Sequence, residues 1–338
     1  MLNPEMHLDL NGKQSSLRDG FGKSLLALGE QDPNLWVITA DVAESTRVHW
    51  FAEKFPKRFV QVGIAEQNMA SVASGIAACG KTVVISSFGA FNPGRNFDQI
   101  RVSICYNNVK VIIHASHTGI TVGADGASHQ MLEDIAMMRA LPNIAVIVPA
   151  DAEEARKATI AAHSLGYPAY IRTGREKFPD FTTSETPFGL GKANVLRDGK
   201  DIVIFACGVE VLQSLKAAEI LEKDGISAAV INVHTIKPID CETIIKYSKK
   251  CGLAISVEEH QINGGLGSAI AEVISEYVCV PLKRHGIYNT FAESGEASEL
   301  MKKYKLDAQG IYEVVKKTIS DCKEIEYRKM HIHLDEYK

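Results

Sequence analysis

Apolar residues in this chain fall into short, nearly unbroken runs, separated by longer stretches in which apolar positions recur every three or four residues. WVITADV (36–42), RFVQVG (58–63), TVVISSF (82–88), VKVIIHASH (109–117), AVIVPAD (145–151) and AYIRTG (169–174) read as strands. Residues 65–79, 96–105, 132–141 and 152–165 read as helices, and a further helix ends near Phe55 and Pro56. Strands that are apolar on both faces and alternate with helices predict a parallel sheet covered on both sides.

The pattern breaks at 178–191, where Pro179, Thr182, Thr183, Ser184 and Pro187 make a connecting segment. It then restarts with strands at 202–208, 227–233 and 253–259 and helices at 209–223, 241–250, 297–303 and 310–319. The expected fold is therefore α/β, with two three-layer α/β/α sandwich domains at residues 1–185 and 186–338. The first should hold a mostly parallel sheet, and the polar stretch beyond Lys323 reads as a less ordered tail.

Composition narrows the functional classes. The 338 residues carry a formal net charge of -4, with 46% hydrophobic and 23% charged side chains. That balance offers no bulk attraction for nucleic acid or an anionic membrane, although two or three placed arginines would suffice for a phosphate. No apolar run approaches the roughly 20 residues of a membrane span. The first residues lack the basic start and apolar core of a signal peptide. Seven cysteines, an odd and scattered set without C-x-x-C spacing, read as small buried thiols rather than a disulfide framework or zinc site. The expectation is a cytoplasmic protein.

Open parallel sheets bind ligands beyond the carboxyl ends of their strands. In the first domain those ends gather Asp41 to Ser45, Gly63 to Glu66, Phe88 to Phe91, His117 to His129 and Arg172 to Arg175. Glu66 opens a helix of small residues. It either caps that helix or, if desolvated, becomes an acid able to donate a hydrogen bond at neutral pH. Phe88 and Phe91 are core residues or rings on which a planar heterocycle stacks. His117, Asp125 and His129 share one glycine-rich loop, less easily structural than a lone histidine, while their irregular spacing weakens a metal reading. Arg175, beside Arg172, suits a phosphate or carboxylate. In NGGLGS (263–268) the third glycine of a dinucleotide fingerprint is replaced by Ile270, so a tight turn into a helix is the better reading.

Taken in order, ADVAEST, VGIAEQNMA, SSFGAF, SHTGITVGADGASHQ, LPNIAVIVPAD and TGREKFP resemble the pyrimidine-binding and C-terminal domains of the transketolase family, from about Leu17 to Val315. The resemblance implies thiamine diphosphate bound between protomers. Glu66 matches the acid that hydrogen-bonds the pyrimidine and promotes the tautomer that activates the thiazolium. Phe88 and Phe91 match the aromatics around that ring, Asp41 matches an acid near the cofactor, and Ile64 falls among the same contacts. His117 and His129 match the histidines that meet the donor's carbonyl and hydroxyl groups. Asp125 matches a residue binding a substrate hydroxyl, and Arg18, Ser45 and Arg175 match the positions that hold the sugar phosphate.

Ala65, Gly94, Thr118 and Gly119 depart from the commonest transketolase pattern and bear on the choice of donor and acceptor. No Asp-Gly pair here is preceded by glycine, so the family's Gly-Asp-Gly and spaced asparagine, which hold Mg²⁺ against the diphosphate, have no counterpart. The resemblance thus implies one subunit of a split transketolase, with no metal ligands of its own. A partner subunit would bring the diphosphate-binding domain and Mg²⁺, in an assembly with two copies of each chain acting on a sugar phosphate. The matching half of a deoxyxylulose-phosphate synthase is an alternative, although that family usually has an aspartate where His117 stands. The beta subunit of a 2-oxoacid dehydrogenase first component fits the GADGASHQ loop less well. A non-catalytic remnant should have lost Glu66 or the histidines.

Overall fold

A computed structural model describes residues 2–10 and 12–335, with side chains through Cys322. Its larger sheet has seven strands in the order Thr235–Lys237, Ala145–Ile147, Ala169–Arg172, Val111–Ser116, Thr82–Phe88, Leu35–Thr39 and Phe59–Gln61. Six of these run parallel, and Thr235–Lys237 joins the edge antiparallel. Val111–Ser116 is buried along its whole length, as expected of a strand covered on both faces. Helices Leu17–Gln31 and Ala152–His163 cover one side through Phe21, Leu25, Ala158 and Ala162. Helix Glu66–Ala78 covers the other, where Met69, Ala70, Ala73 and Ala77 repeat at helical spacing against Ile85 and Ile113.

The second sheet runs Leu282–Ile287, Ala254–Gln261, Ile202–Ala206, Ala228–Asn232 and Asn194–Arg197, parallel except for the last strand. Both α/β sheets thus match the expected fold class, but the two halves are stitched together. One apolar cluster runs from Ile113 and Tyr170 to Phe205 and Ile231 without interruption. Thr235–Lys237 comes from the second half of the chain and pairs with Ile147 and Val146 of the first sheet. In the other direction, the Asn3 amide donates to the Leu196 carbonyl at the edge of the second sheet.

Several elements differ from the sequence expectation. Leu17–Gln31, Asn194–Arg197 and Leu282–Ile287 were not marked by their patterns, since glycines or charges interrupt each of them. One helix runs Ala308–Asp335, and residues 336–338 lie outside those described. Cys105 and Cys207 are buried thiols, whereas Cys79 and Cys279 are exposed.

A buried ion cluster joins the domains. Arg172 donates through Nε to Asp134 Oδ2 at 2.8 Å and through Nη2 to the Glu259 carbonyl at 3.0 Å, while Tyr170 donates to the same Asp134 oxygen at 2.6 Å. Glu259, in the second domain, accepts from the amide and hydroxyl of Thr121. Arg172 therefore belongs to the framework and not to the strand-end site. Removing one member of such a cluster leaves a buried charge uncompensated, so Arg172→Met is expected to cost about 3–5 kcal/mol of stability. Urea unfolding measures this directly, and a loss below about 1 kcal/mol would show that the cluster does not tie the domains together.

Candidate functional site

The parallel register of the first sheet aligns Phe88 with Ser116 and Ala115 with Arg172, so the segments that follow these strands emerge along one edge. Two residues at strand ends, Asp41 (φ 61) and His117 (φ 55), adopt the left-handed conformation that side chains other than glycine usually avoid. Gly119 (φ 80) requires glycine twice over, because a Cβ there would also lie 2.1 Å from the Glu259 carboxyl carbon.

Glu66 begins helix Glu66–Ala78 and is 1% exposed. Sequence left open whether this acid caps the helix or is a desolvated hydrogen-bond donor, and the structure places a cation against it. Arg95 Nη1 donates to Glu66 Oε2 at 2.7 Å, a charge-assisted bond. Asn96 Nδ2 donates to the Glu66 carbonyl at 3.1 Å and to Asn92 Oδ1 at 3.0 Å. Asn92 in turn donates to the His114 carbonyl. Two buried asparagines thereby tether the acid to the central strand.

A wall of rings stands beside it. Phe88 stacks on His117 with centroids 3.9 Å apart and lies 6.0 Å from Phe91. His129 meets Phe91 edge-on at 5.5 Å, and the Arg95 guanidinium covers the Phe91 ring at 4.6 Å. The two phenylalanines are thus exposed to polar partners on the site side and are not simply core. His117 bonds Ser116 Oγ through Nδ1 at 2.7 Å, and His129 bonds Ser128 Oγ at 2.9 Å. Burial, followed by the cations Arg18 and Arg175, pushes the His117 imidazole down to about 3.

The third part of the site is cationic. Arg18 donates to Ser16 Oγ, to the Ser45 carbonyl at 2.6 Å and to the Arg175 carbonyl at 2.6 Å. Burial and then the nearby Arg47 lower its guanidinium to about 10, still protonated at neutral pH. Arg175 donates to the Val122 carbonyl at 2.8 Å and lies 3.4 Å from Asp125. Ser45 enters through its backbone rather than its hydroxyl.

Of the residues singled out by sequence, Glu66, Phe88, Phe91, His117 and His129 come together through direct contacts or shared neighbours. Arg18, Ser45, Arg175 and Asp125 form the adjoining polar group. Asp41 and Ile64 stand further out, on the rim. The Asp41 and Gly63 amides share Gln61 Oε1, and Ile64 is 74% exposed. Arg47 and Arg95 were not foreseen, since neither sits in a patterned motif, and only the three-dimensional contacts reveal them. The NGGLGS turn is already filled from within: Glu258 accepts from the Leu266 and Gly267 amides at 2.7 and 2.8 Å, the place an anionic ligand would need. Among the described residues no three His, Cys, Asp or Glu gather as a metal-ligand set, and no helix is long and apolar enough to cross a membrane.

Comparison with known proteins identifies two domain families along the chain. Residues 13–180 match the transketolase pyrimidine-binding domain and residues 191–311 the transketolase C-terminal domain. A chain assigned as a transketolase C-terminal section in Methanocaldococcus jannaschii is 45% identical over 89% of this chain and 96% of its own length. The 6-deoxy-6-sulfo-D-fructose transketolase subunit of Clostridium sp. MSTE9 is 38% identical over 87% of this chain and 92% of its own. A 1-deoxy-D-xylulose-5-phosphate synthase of Caldanaerobacter subterraneus is also 38% identical, but this chain spans only 49% of its length. Among solved structures, a split-gene transketolase described as an inactive β4 tetramer is 41% identical, with a TM-score of 0.84 over 90% of this chain and 98% of that one.

The buried imidazole has a consequence for pH. In the unfolded chain His117 takes up a proton near its ordinary value of 6.5, and in the folded chain only near 3. Its contribution to stability is therefore complete above pH 6.5 and is lost as pH falls towards 3, as it is for the buried His234. An NMR titration of the His117 ring should show a neutral imidazole down to pH 5, and a midpoint near 6.5 would rule out this environment.

Proposed function

Because this chain belongs to the transketolase family, we propose that it is one of two subunit types of a transketolase, a glycolaldehydetransferase moving a two-carbon ketol unit between sugar phosphates. The relatives that align along nearly their whole length support the split: one is named a subunit, one a C-terminal section and one a split-gene enzyme. The observation that carries the reading is Glu66, buried at the head of a small-residue helix beside Phe91 and the Phe88–His117 stack. A buried carboxyl group next to flat apolar faces is what a hydrogen-bonding heterocycle requires, so these residues fit the pyrimidine of thiamine diphosphate. Bound there, the cofactor would supply the carbanion-stabilising chemistry that ketol transfer needs.

In this reading Glu66 holds the ring nitrogen and shares a proton with it, for which the Arg95 bond has to be shared or released. Phe88 and Phe91 exclude water from the ring. Asp41 and Ile64, on the rim beside the Gly63 turn, meet the cofactor on the side where a second chain closes the site. His117, kept neutral by its burial, offers a hydrogen bond to a substrate oxygen without adding a charge, and His129, further along the same loop and edge-on to Phe91, offers a second. Arg18 and Arg175 take the phosphate with Ser45, and Asp125 takes a hydroxyl. The partner contributes the diphosphate-binding domain and Mg²⁺, for which this sequence has no Gly-Asp-Gly. The working assembly then contains two copies of each chain.

The corresponding half of a deoxyxylulose-phosphate synthase is the second reading, favoured by Ala65 and by the 38% identity noted above. The two readings differ in the reaction catalysed, so an assay of ketol transfer between sugar phosphates separates them.

Two outcomes are expected with a partner carrying the diphosphate domain. Calorimetry should find tight, Mg²⁺-dependent thiamine diphosphate binding only after the two chains are mixed. Tight binding by this chain alone would end the split-site proposal. In the reconstituted complex, Glu66→Gln should abolish hydrogen–deuterium exchange at the thiazolium carbon, because an amide cannot hand over the acid's proton. Exchange at the unmodified rate would remove Glu66 from its role.

A further inference from the structure

The second domain holds a cavity of about 440 Å³ whose lining is mainly cationic and aromatic. Lys283 and His285 alternate on the edge strand Leu282–Ile287, so they face the same way. Lys303 ends helix Ala297–Lys303, Lys305 lies in the connection that follows it, and Lys317 and Asp321 come from helix Ala308–Asp335. A lysine on an edge strand has an ordinary use, since it discourages strand pairing with another molecule. That accounts for Lys283 alone. It does not account for four lysines from separate elements lining one cavity, a concentration of like charge that repulsion opposes.

Carboxylates relieve only part of that repulsion. Lys303 pairs with Glu293, and Lys305 pairs with Glu313 at 3.0 Å. Among the described residues Lys283 and Lys317 have no carboxylate partner, and Asp321 is the one acid in the lining. The wall itself is firmly built. His285, 2% exposed, bonds the Lys305 carbonyl at 2.7 Å and the Tyr288 hydroxyl oxygen at 3.2 Å. It thereby pins Lys305, whose φ of 57 is left-handed. Tyr288 offers a half-exposed ring, with Lys283 Nζ 5.4 Å from its centre.

The cavity is also connected to the site described above. Helix Ala297–Lys303, which ends at Lys303, packs on the loop segment Ile120–Asp125. Glu293, the partner of Lys303, accepts through its carbonyl from Gln130 Nε2 at 3.0 Å, and Gln130 reaches Gly123 O at 3.3 Å. A Cβ on Gly126 would lie 2.3 Å from Ser294 Oγ, so the two segments are in close contact.

We propose that this cavity is an effector site for a small, multiply charged phosphate compound, and that its occupancy is transmitted through Glu293 and helix Ala297–Lys303 to the loop carrying Asp125 and His129. Such an anion competes with Glu293 for Lys303, which frees the segment that Gln130 grips. Binding stands on the cavity alone. The consequence for catalysis rests on the transketolase reading.

The probe is inorganic pyrophosphate, titrated calorimetrically into the full chain at fixed ionic strength. One saturable site per chain is expected. Lys283→Glu combined with Lys317→Glu should weaken it by about 100-fold, the loss of two charge-assisted contacts. Both side chains are exposed, and an unchanged melting temperature confirms the fold, with the Lys283→Gln, Lys317→Gln pair as a milder check. Arg175→Ala should retain the binding, which separates this cavity from the phosphate position of the first domain. Hydrogen exchange across residues 118–131 should change on saturation. No saturable binding, equal binding in the charge-reversed chain, or loss of binding in Arg175→Ala overturns the site. Binding with no change in exchange overturns the effector role. Failure of the transketolase reading would leave the pyrophosphate titration as it is.

Discussion

Arg172 cannot reach water, and that constraint organises the molecule. Its guanidinium must find acceptors inside, and it finds them in Asp134 of the first domain and in the carbonyl of Glu259 of the second. Glu259 then turns its own carboxylate to Thr121, on the loop that leads from His117 to His129. The loop is therefore fastened at its base by a charge cluster and can carry glycines along its length without losing its course. Satisfying a buried cation and positioning a loop of left-handed residues are one and the same requirement here.

What this loop faces is electrostatically divided. One part of the cleft is neutral and flat, built from Phe88, Phe91 and an imidazole that burial keeps uncharged. The adjoining part is cationic, where Arg47 and Arg175 lie close enough to Arg18 to lower its guanidinium. Arg47 is tied to Asp19 at 2.7 Å and Arg175 lies 3.4 Å from Asp125, while Arg18 is held by carbonyls and a hydroxyl and has no ion pair among the described residues. A molecule with an uncharged reacting end and an anionic tail fits such a cleft in only one direction.

The strands and the acidic, aromatic and histidine positions at their carboxyl ends were legible in the sequence because they obey local rules: continuous apolar runs, then glycines and polar residues where a strand must end. The glycine-rich loop of His117 to His129 was legible for the same reason. Arg95 and Arg47 were not, because an arginine in a loop resembles any solvated arginine until a fold brings it against Glu66 or Asp19. Glu258 filling the NGGLGS turn was hidden likewise, since the acid lies on a strand ahead of the glycines it serves. The exposure of Ile64 was hidden as well: two residues before the buried Glu66, it follows the Gly63 bend and stands 74% exposed.

Thr235–Lys237 crosses from the second half of the chain to complete the first sheet, and the Asn3 amide crosses the other way. Either domain severed near residue 185 would keep its helices but bare an apolar edge, with Ala145–Ile147 left open to any passing strand. The two domains are for this reason expected to be inherited together. Recombination can exchange the pair as a block or join it to other modules at its outer boundaries. A crossover between the two would pair a first-sheet edge with a strand Thr235–Lys237 drawn from a different parent.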